Sequence, residues 1–195
     1  MSITFVAMPD EKHTHLIHAA MEAFLLYGFR RTSMEDIAQQ AGVSRAALYL
    51  HFRNKRDVFR SATAVMFAEA VERFQAALVP GDDVAETLLR AFLEKNGPLT
   101  ERVFASPHGA ELMGTGLEVA CDIAAAADAK FIAAMTTYFS AVQTRLGSDG
   151  SVAPDALADM VLRALYGVKE PGAATETYHE RLRLLAASVA ALLNA

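Results

Sequence analysis

Thr32–Phe59 reads TSMEDIAQQAGVSRAALYLHFRNKRDVF, and the placement of its small polar residues and its glycine decides the fold. Thr32 and Ser33 each stand three residues before an acid, Glu35 and Asp36, the spacing that satisfies free amides at a helix start. A short helix is therefore predicted from Met34 to Ala41, with Ile37, Ala38 and Ala41 inward. Gly42 follows, where a left-handed residue ends a helix without a Cβ clash. Ser44 supplies the next cap. Val43, Leu48 and Phe52 then put bulk on one face of a second short helix, leaving Arg45, Ala46, Tyr49 and Leu50 outward. Two short helices around a glycine turn make a helix-turn-helix.

The outward set has the chemistry that a major groove requires. Arg45 pairs with guanine edges, Ala46 permits close approach, and Leu50 offers only apolar contact, for example to a thymine methyl. Ser44 and Ala47 fall within the same DNA-facing segment. Tyr49, His51 and Lys55 suit phosphate oxygens, and Asn54 is placed to cap the next helix with Asp57 in the capping-box position. Such backbone contacts orient a protein on the duplex without reading sequence. Tyr49 is open to a second reading as an ordinary half-buried tyrosine. Arg30 and Arg31 divide evenly between phosphate contact and solvated charge.

From Leu16 to about Arg60, and most clearly in IA, AGVS, LY, HF and the following lysine, the chain resembles the N-terminal domain of TetR/AcrR-type transcriptional regulators. The resemblance covers about a quarter of the sequence. It implies that Thr32, Ser33, Tyr49, His51 and Lys55 contact the DNA backbone, while Arg45, Ala46 and Leu50 face bases. Two positions depart from the family pattern: glycine is usual at Ala46, and a polar or aromatic residue at Leu50. Base preference therefore does not carry over from relatives.

Composition agrees with a globular chain rather than a disordered one: 195 residues, 53% hydrophobic and 21% charged. The net charge of -5 speaks against indiscriminate coating of nucleic acid, but it is unevenly spread. Phe29–Arg60 carries seven Lys or Arg against three acids, whereas Ser61–Ala195 carries ten against seventeen. Cys121 is the single cysteine, no Cys/His spacing suggests zinc, and no cofactor is expected. The opening MSITFVAMPDEKHTH has no basic n-region ahead of a long apolar run, and no apolar run reaches spanning length. A cytoplasmic protein is the expectation.

Along the chain the pattern predicts an all-α protein. Residues 1–10 read as a flexible arm, 11–56 as the helix-turn-helix domain, and 57–195 as a larger helical effector-binding and dimerisation domain. Leu16, Ile17, Ala20, Ala23, Phe24 and Tyr27 trace one face of a first helix that stops at Gly28. A long helix follows Asn54 to about Leu78, and another runs from Val84 until Asn96, Gly97 and Pro98 end it. Val103, Phe104, Pro107, His108 and Gly109 read as a short helix and a bend. Helices then follow at about Leu117–Leu146, Asp155–Val168 and Ala174–Leu193. No strand pattern and no internal repeat is evident.

The resemblance also implies a mechanism: a homodimer on a palindromic operator, most relatives acting as repressors, released when a small and largely apolar effector enters the C-terminal domain. Candidate pocket residues are Met66, Phe67, Phe92, Phe104, His108, Met113, Phe131, Met135 and Tyr138, each equally readable as plain core. Candidate dimer residues on the last two helices are Leu157, Met160, Val161, Leu165, Leu182, Leu185 and Val189, with closure of the monomer core as the alternative. A helical ligand-binding dimer without specific DNA binding is the rival function. His108, Glu111, Cys121 and Asp122 form no convincing catalytic or metal set, because Pro107 and Gly109 disturb the helix that would align them. No enzyme motif appears.

Overall fold

The structure, a computed structural model, describes residues 11–79, 81, 83–148, 151–169 and 175–194. Among these the secondary structure is entirely helical: α1 (Glu11–Arg31), α2 (Met34–Gln40), α3 (Arg45–Tyr49), α4 (Lys55–Ala77), α5 (Val84–Ala105), α6 (Gly109–Val119), α7 (Cys121–Leu146), α8 (Pro154–Gly167) and α9 (Thr175–Leu193). The arm expected at 1–10, and the start of the last helix expected at Ala174, lie outside the described residues.

The chain divides into two compact units. The first holds the described residues up to Ala64 together with Ser106–Ala120, and the second holds Val65–Ala105 with Cys121–Ala195. This differs from a single boundary near residue 56. The segment 106–120, expected in the C-terminal domain, belongs to the N-terminal unit.

In the first unit α1 buries Leu16, Ile17, Ala20, Ala23 and Phe24 as its periodicity predicts. Tyr27, assigned to the same face, is exposed. It is the last residue before Gly28, whose φ of 78° and ψ of 162° break the helical turn. That conformation is open to glycine at little cost. The site is also crowded, since a Cβ at Gly28 would strike the Glu111 carboxylate. Phe24, Phe29 and Phe59 meet with ring centroids 5.1–5.8 Å apart, and Leu48, Phe52 and Val58 complete the interior. Replacing Phe52 by Ala would remove contacts worth about 3–5 kcal/mol.

Helix α6 docks on α1 through polar ties as well as packing. Glu111 Oε1 accepts from the Arg30 amide at 2.7 Å, Ser106 Oγ donates to Leu25 O at 2.8 Å, and Arg60 Nη1 donates to Val119 O at 2.5 Å. A free amide near the end of α1 and a carbonyl at the end of α6 are thereby satisfied. None of these pairings has a local sequence signal, because the partners lie 59–81 residues apart.

In the second unit, apolar faces of α4, α5, α7, α8 and α9 enclose one core containing Phe74, Leu88, Phe92, Phe131, Met135, Phe139, Val161 and Leu182. Phe74 and Phe131 meet edge to face at 5.1 Å, the geometry favoured by the ring quadrupole. The expected stop of α5 at Asn96–Pro98 is a kink instead: Gly97 takes φ 57° and ψ 176°, and the helix resumes to Ala105. The predicted long helix from Leu117 is two helices, with α6 ending at Val119 and α7 starting at Cys121.

Candidate nucleic-acid interface

The helix-turn-helix is assembled by caps. Ser33 accepts from the Asp36 amide while Asp36 accepts from the Ser33 amide at 2.8 Å, a reciprocal capping box. The Ser33 hydroxyl bond, and then its amide, hold the Asp36 carboxyl below its ordinary range. α2 gives way to Gly42 at φ 66°, a turn that only glycine makes without strain. His15 Nε2 donates to Ala41 O at 3.1 Å, fastening the turn to α1. Ser44 then accepts from the Ala47 amide and starts α3. Asn54 Oδ1 accepts from the Asp57 amide at 2.9 Å and starts α4, but Asp57 reaches back to the Arg53 amide rather than to that of Asn54.

Leu48 orients α3: it is wholly buried, so the opposite face is presented to solvent. Arg45 and Ala46 are exposed, Tyr49 is 43% exposed and Leu50 84%. Arg45 donates to Tyr49 Oη at 3.3 Å and stacks over its ring at 5.5 Å. The Tyr49 hydrogen bond raises the Arg45 pKa further and aims the guanidinium along the helix. Ser44 is exposed, Ala47 partly so, and His51 partly so beside His13 and Phe52. The exposed face thus holds a fork of donors, a small residue, a phenol and an isobutyl group, a set able to meet base edges and phosphate oxygens.

Two expected contact residues are corrected. Thr32 is 1% exposed, and its hydroxyl donates inward to Gly28 O at 2.6 Å. It ties α1 to α2 and is not turned to solvent, while Ser33 beside it is the cap. Lys55 does not extend freely. Its ammonium donates to Arg30 O at 3.0 Å and lies 4.7 Å over the Phe29 ring. Partial burial lowers its pKa although Glu111 and Asp36 act to raise it. Arg30, Arg31, Arg53 and Arg56 are the exposed cations nearby in sequence. The sequence reading left Arg53 and Arg56 out of the site, although the run HFRNKR was the available signal.

The C-terminal expectations fare less well. His108 and Met113 lie in the first unit, so the nine candidate pocket residues do not share one unit. Phe92, Phe131, Met135 and Tyr138 are closed into the second core, while Met66, Phe67 and Phe104 are half-buried. Of the candidate dimer residues, Leu157, Val161, Leu165, Leu182 and Val189 are buried within the monomer and Leu185 is half-buried, leaving Met160 exposed. The apolar stripe on each helix packs on the chain's own core. The exposed large hydrophobic side chains on these helices are Met160, Leu184 and Leu192, together with Tyr166.

His108 and Glu111 do meet, with Nδ1 3.8 Å from Oε2. Among the described residues no group of three or more His, Cys, Asp or Glu is arranged to hold a metal. No helix among them is long and apolar enough to cross a membrane.

Comparison with known proteins agrees with this geometry. Residues 16–62 match the model of the bacterial regulatory proteins, tetR family. Over 52 residues the chain is 43% identical to the HTH-type transcriptional regulator TtgR of Pseudomonas putida, covering 27% of this chain and 25% of that protein. It is 33% identical over 64 residues to the fatty acid metabolism regulator protein of Bacillus subtilis, one third of each chain. The chain thus spans about a quarter to a third of the length of these curated relatives. Among solved structures, the fatty acid degradation regulator FadR of Bacillus halodurans aligns with a TM-score of 0.68 at 19% identity, over 96% of this chain and 97% of that one. A TetR-family transcriptional regulator of Pectobacterium atrosepticum aligns with a TM-score of 0.64 at 25% identity, over 97% and 95%. Residues 16–62 thus carry the sequence signature of the tetR family of bacterial regulatory proteins, and the all-α architecture of the whole chain is similar to that of solved TetR-family regulators.

Proposed function

We propose that this chain is a DNA-binding transcriptional regulator, a repressor that sits as a homodimer on a palindromic operator and leaves it when a small molecule binds the second unit. The observation that carries the proposal is the polarity of α3: Leu48 anchors one side in the core while Arg45, Ala46, Tyr49 and Leu50 stand on the other. One such helix reads only a few base pairs, so affinity and specificity require two copies on symmetric half-sites. Met160, Leu184 and Leu192 supply exposed apolar surface for pairing. Phosphate contacts fall to Ser33, Tyr49, His51 and the exposed Arg53 and Arg56, with Lys55 bracing the site from behind.

Release needs an effector that binds two states of the protein differently. The chain passes between its units at 64/65, 105/106 and 120/121, so α4 leads directly from one to the other and 106–120 is tethered at both ends to the second. A ligand that shifts the ends of these segments acts on the helix-turn-helix through covalent links.

The test is selection of bound sequences from a random duplex library by the purified chain. Enrichment of an inverted repeat supports the proposal. Recovery of no sequence preference at low salt favours a ligand-binding helical protein that does not read DNA.

A further inference from the structure

The second unit contains two lysines whose charge nothing in the apolar core requires. Lys95, on α5 just before the Gly97 kink, is 5% exposed, and Lys169 is half-buried just beyond α8. Both ammonium groups share the ring of Tyr166: Lys95 Nζ lies 4.7 Å and Lys169 Nζ 5.8 Å from its centroid. Phe131 lies under Lys95 at 4.6 Å, and Phe104 faces Lys169 at 5.9 Å. Aromatic faces attract cations and fix their position. They do not neutralise two like charges placed on one ring.

Among the described residues the counter-charge is already committed. Asp128 is the acid whose field reaches both lysines, yet its Oδ1 accepts from Tyr166 Oη at 2.6 Å and its Oδ2 lies 3.8 Å from Arg163 Nη1. Among the described residues no hydrogen bond or ion pair reaches either lysine ammonium. Burial pushes Lys95 down to about 8 despite Asp128. Burial and then the charge of Lys95 push Lys169 to about 7, again against Asp128. Next to Lys95, Asn96 donates to Tyr178 Oη while its own Oδ1 is buried without a partner. A buried, unpaired cation is costly to keep. Buried cationic groups with perturbed protonation mark candidate binding sites when they converge geometrically.

We propose that Lys95 and Lys169 form an anion-binding site, and that the effector of this regulator is a small organic anion with a carboxylate or phosphate head and an apolar body. The head lies between the two ammonium groups, which become fully protonated as it binds. Tyr166 and Phe104, partly open to solvent, form the outer wall against which the body packs. That the anion acts as effector rests on the regulator reading above; the binding site itself does not. The proposal adds a charged head to the largely apolar effector that the resemblance implies.

Thermal-shift and calorimetric titration of the full chain test it with matched pairs: benzoate against benzamide, decanoate against decanol, decyl phosphate against the same alcohol, and inorganic phosphate alone. At least one anion with an apolar body is expected to bind tenfold or more tightly than its neutral partner, and the carboxylate and phosphate arms identify the head. Lys95→Met and Lys169→Met should each abolish that preference, while Lys130→Met, at an exposed position, retains it. Equal binding of anions and neutral partners, binding of neither, or unchanged preference in both Lys→Met variants would overturn the proposal. A parallel DNA mobility shift without additive separates the two readings: a chain that binds an operator but shows no anion preference loses only the anion site, and one that prefers anions but binds no DNA loses only the regulator.

Discussion

At the residue scale, α3 assigns its side chains to opposite tasks within one turn. Leu48 is buried while Leu50, two positions on, is 84% exposed, an arrangement that solvent alone does not reward. Removing a side chain that faces a base edge should therefore cost recognition and little stability. Arg45→Ala is expected to weaken binding to the selected operator by about 1–3 kcal/mol and to relax preference at one base pair per half-site, with the melting temperature nearly unchanged. Anisotropy titration against single-substitution operators checks both parts. Lys95 follows the opposite logic. Its folded pKa of about 8 lies below the ordinary 10.5, so between those values the unfolded chain binds more protons and stability rises with pH. Below pH 8 both states hold the proton and the penalty is fully present. Lys169, Asp128 and Arg163 surround the same site and set the local field. Lys95→Met is expected to stabilise the unliganded protein at pH 7 by on the order of 1–3 kcal/mol and to flatten the rise toward pH 10, read by denaturant melts at several pH values.

At the element scale, the helix starts of the first unit rest on side-chain caps. Ser33→Ala removes the acceptor for the Asp36 amide and should lower stability by about 1 kcal/mol. Gly28→Ala should cost more, since it adds strain at φ 78° to a clash with Glu111; chemical denaturation of both variants gives the order. These local devices were legible in the sequence because their signals lie within a few residues of their targets. Ser33 with Asp36, Gly42, Ser44 and Asn54 all behave as their spacing predicts. The kink at Gly97 reads from sequence as a helix end because a glycine–proline pair usually stops a helix, whereas the chain turns at Gly97 and takes up a second helical segment to Ala105. Thr32 was misassigned for a related reason. It shares the capping spacing of Ser33, but burial against Gly28 O decides which of the two faces solvent.

At the scale of the whole molecule, periodicity locates an apolar stripe without saying what covers it. Leu157, Val161 and Leu182 were legible as apolar faces of the last helices, yet the monomer core takes them and leaves Met160, Leu184 and Leu192 outside. Leu184→Glu is accordingly expected to shift the chain from dimer to monomer in light scattering at micromolar concentration and to weaken operator binding in parallel, while Ser188→Ala, on the same helix, leaves both unchanged. The return of 106–120 to the first unit, and the meeting of Lys95 with Lys169, depend on contacts between distant parts of the chain that carry no local signature. Charge was legible: the excess of Lys and Arg over acids in Phe29–Arg60 is set against a net acidic remainder. That segregation favours the approach of a polyanion at one end of the sequence only.

The most direct measurement is the affinity of the chain for a selected palindromic duplex, against a scrambled duplex, across a series of salt concentrations. The account predicts a strong preference for the palindrome that falls linearly in log affinity with log salt, and loss of that preference in Arg45→Ala. Equal affinity for both duplexes, or a palindrome preference that survives in Arg45→Ala combined with Leu50→Ala, would contradict it.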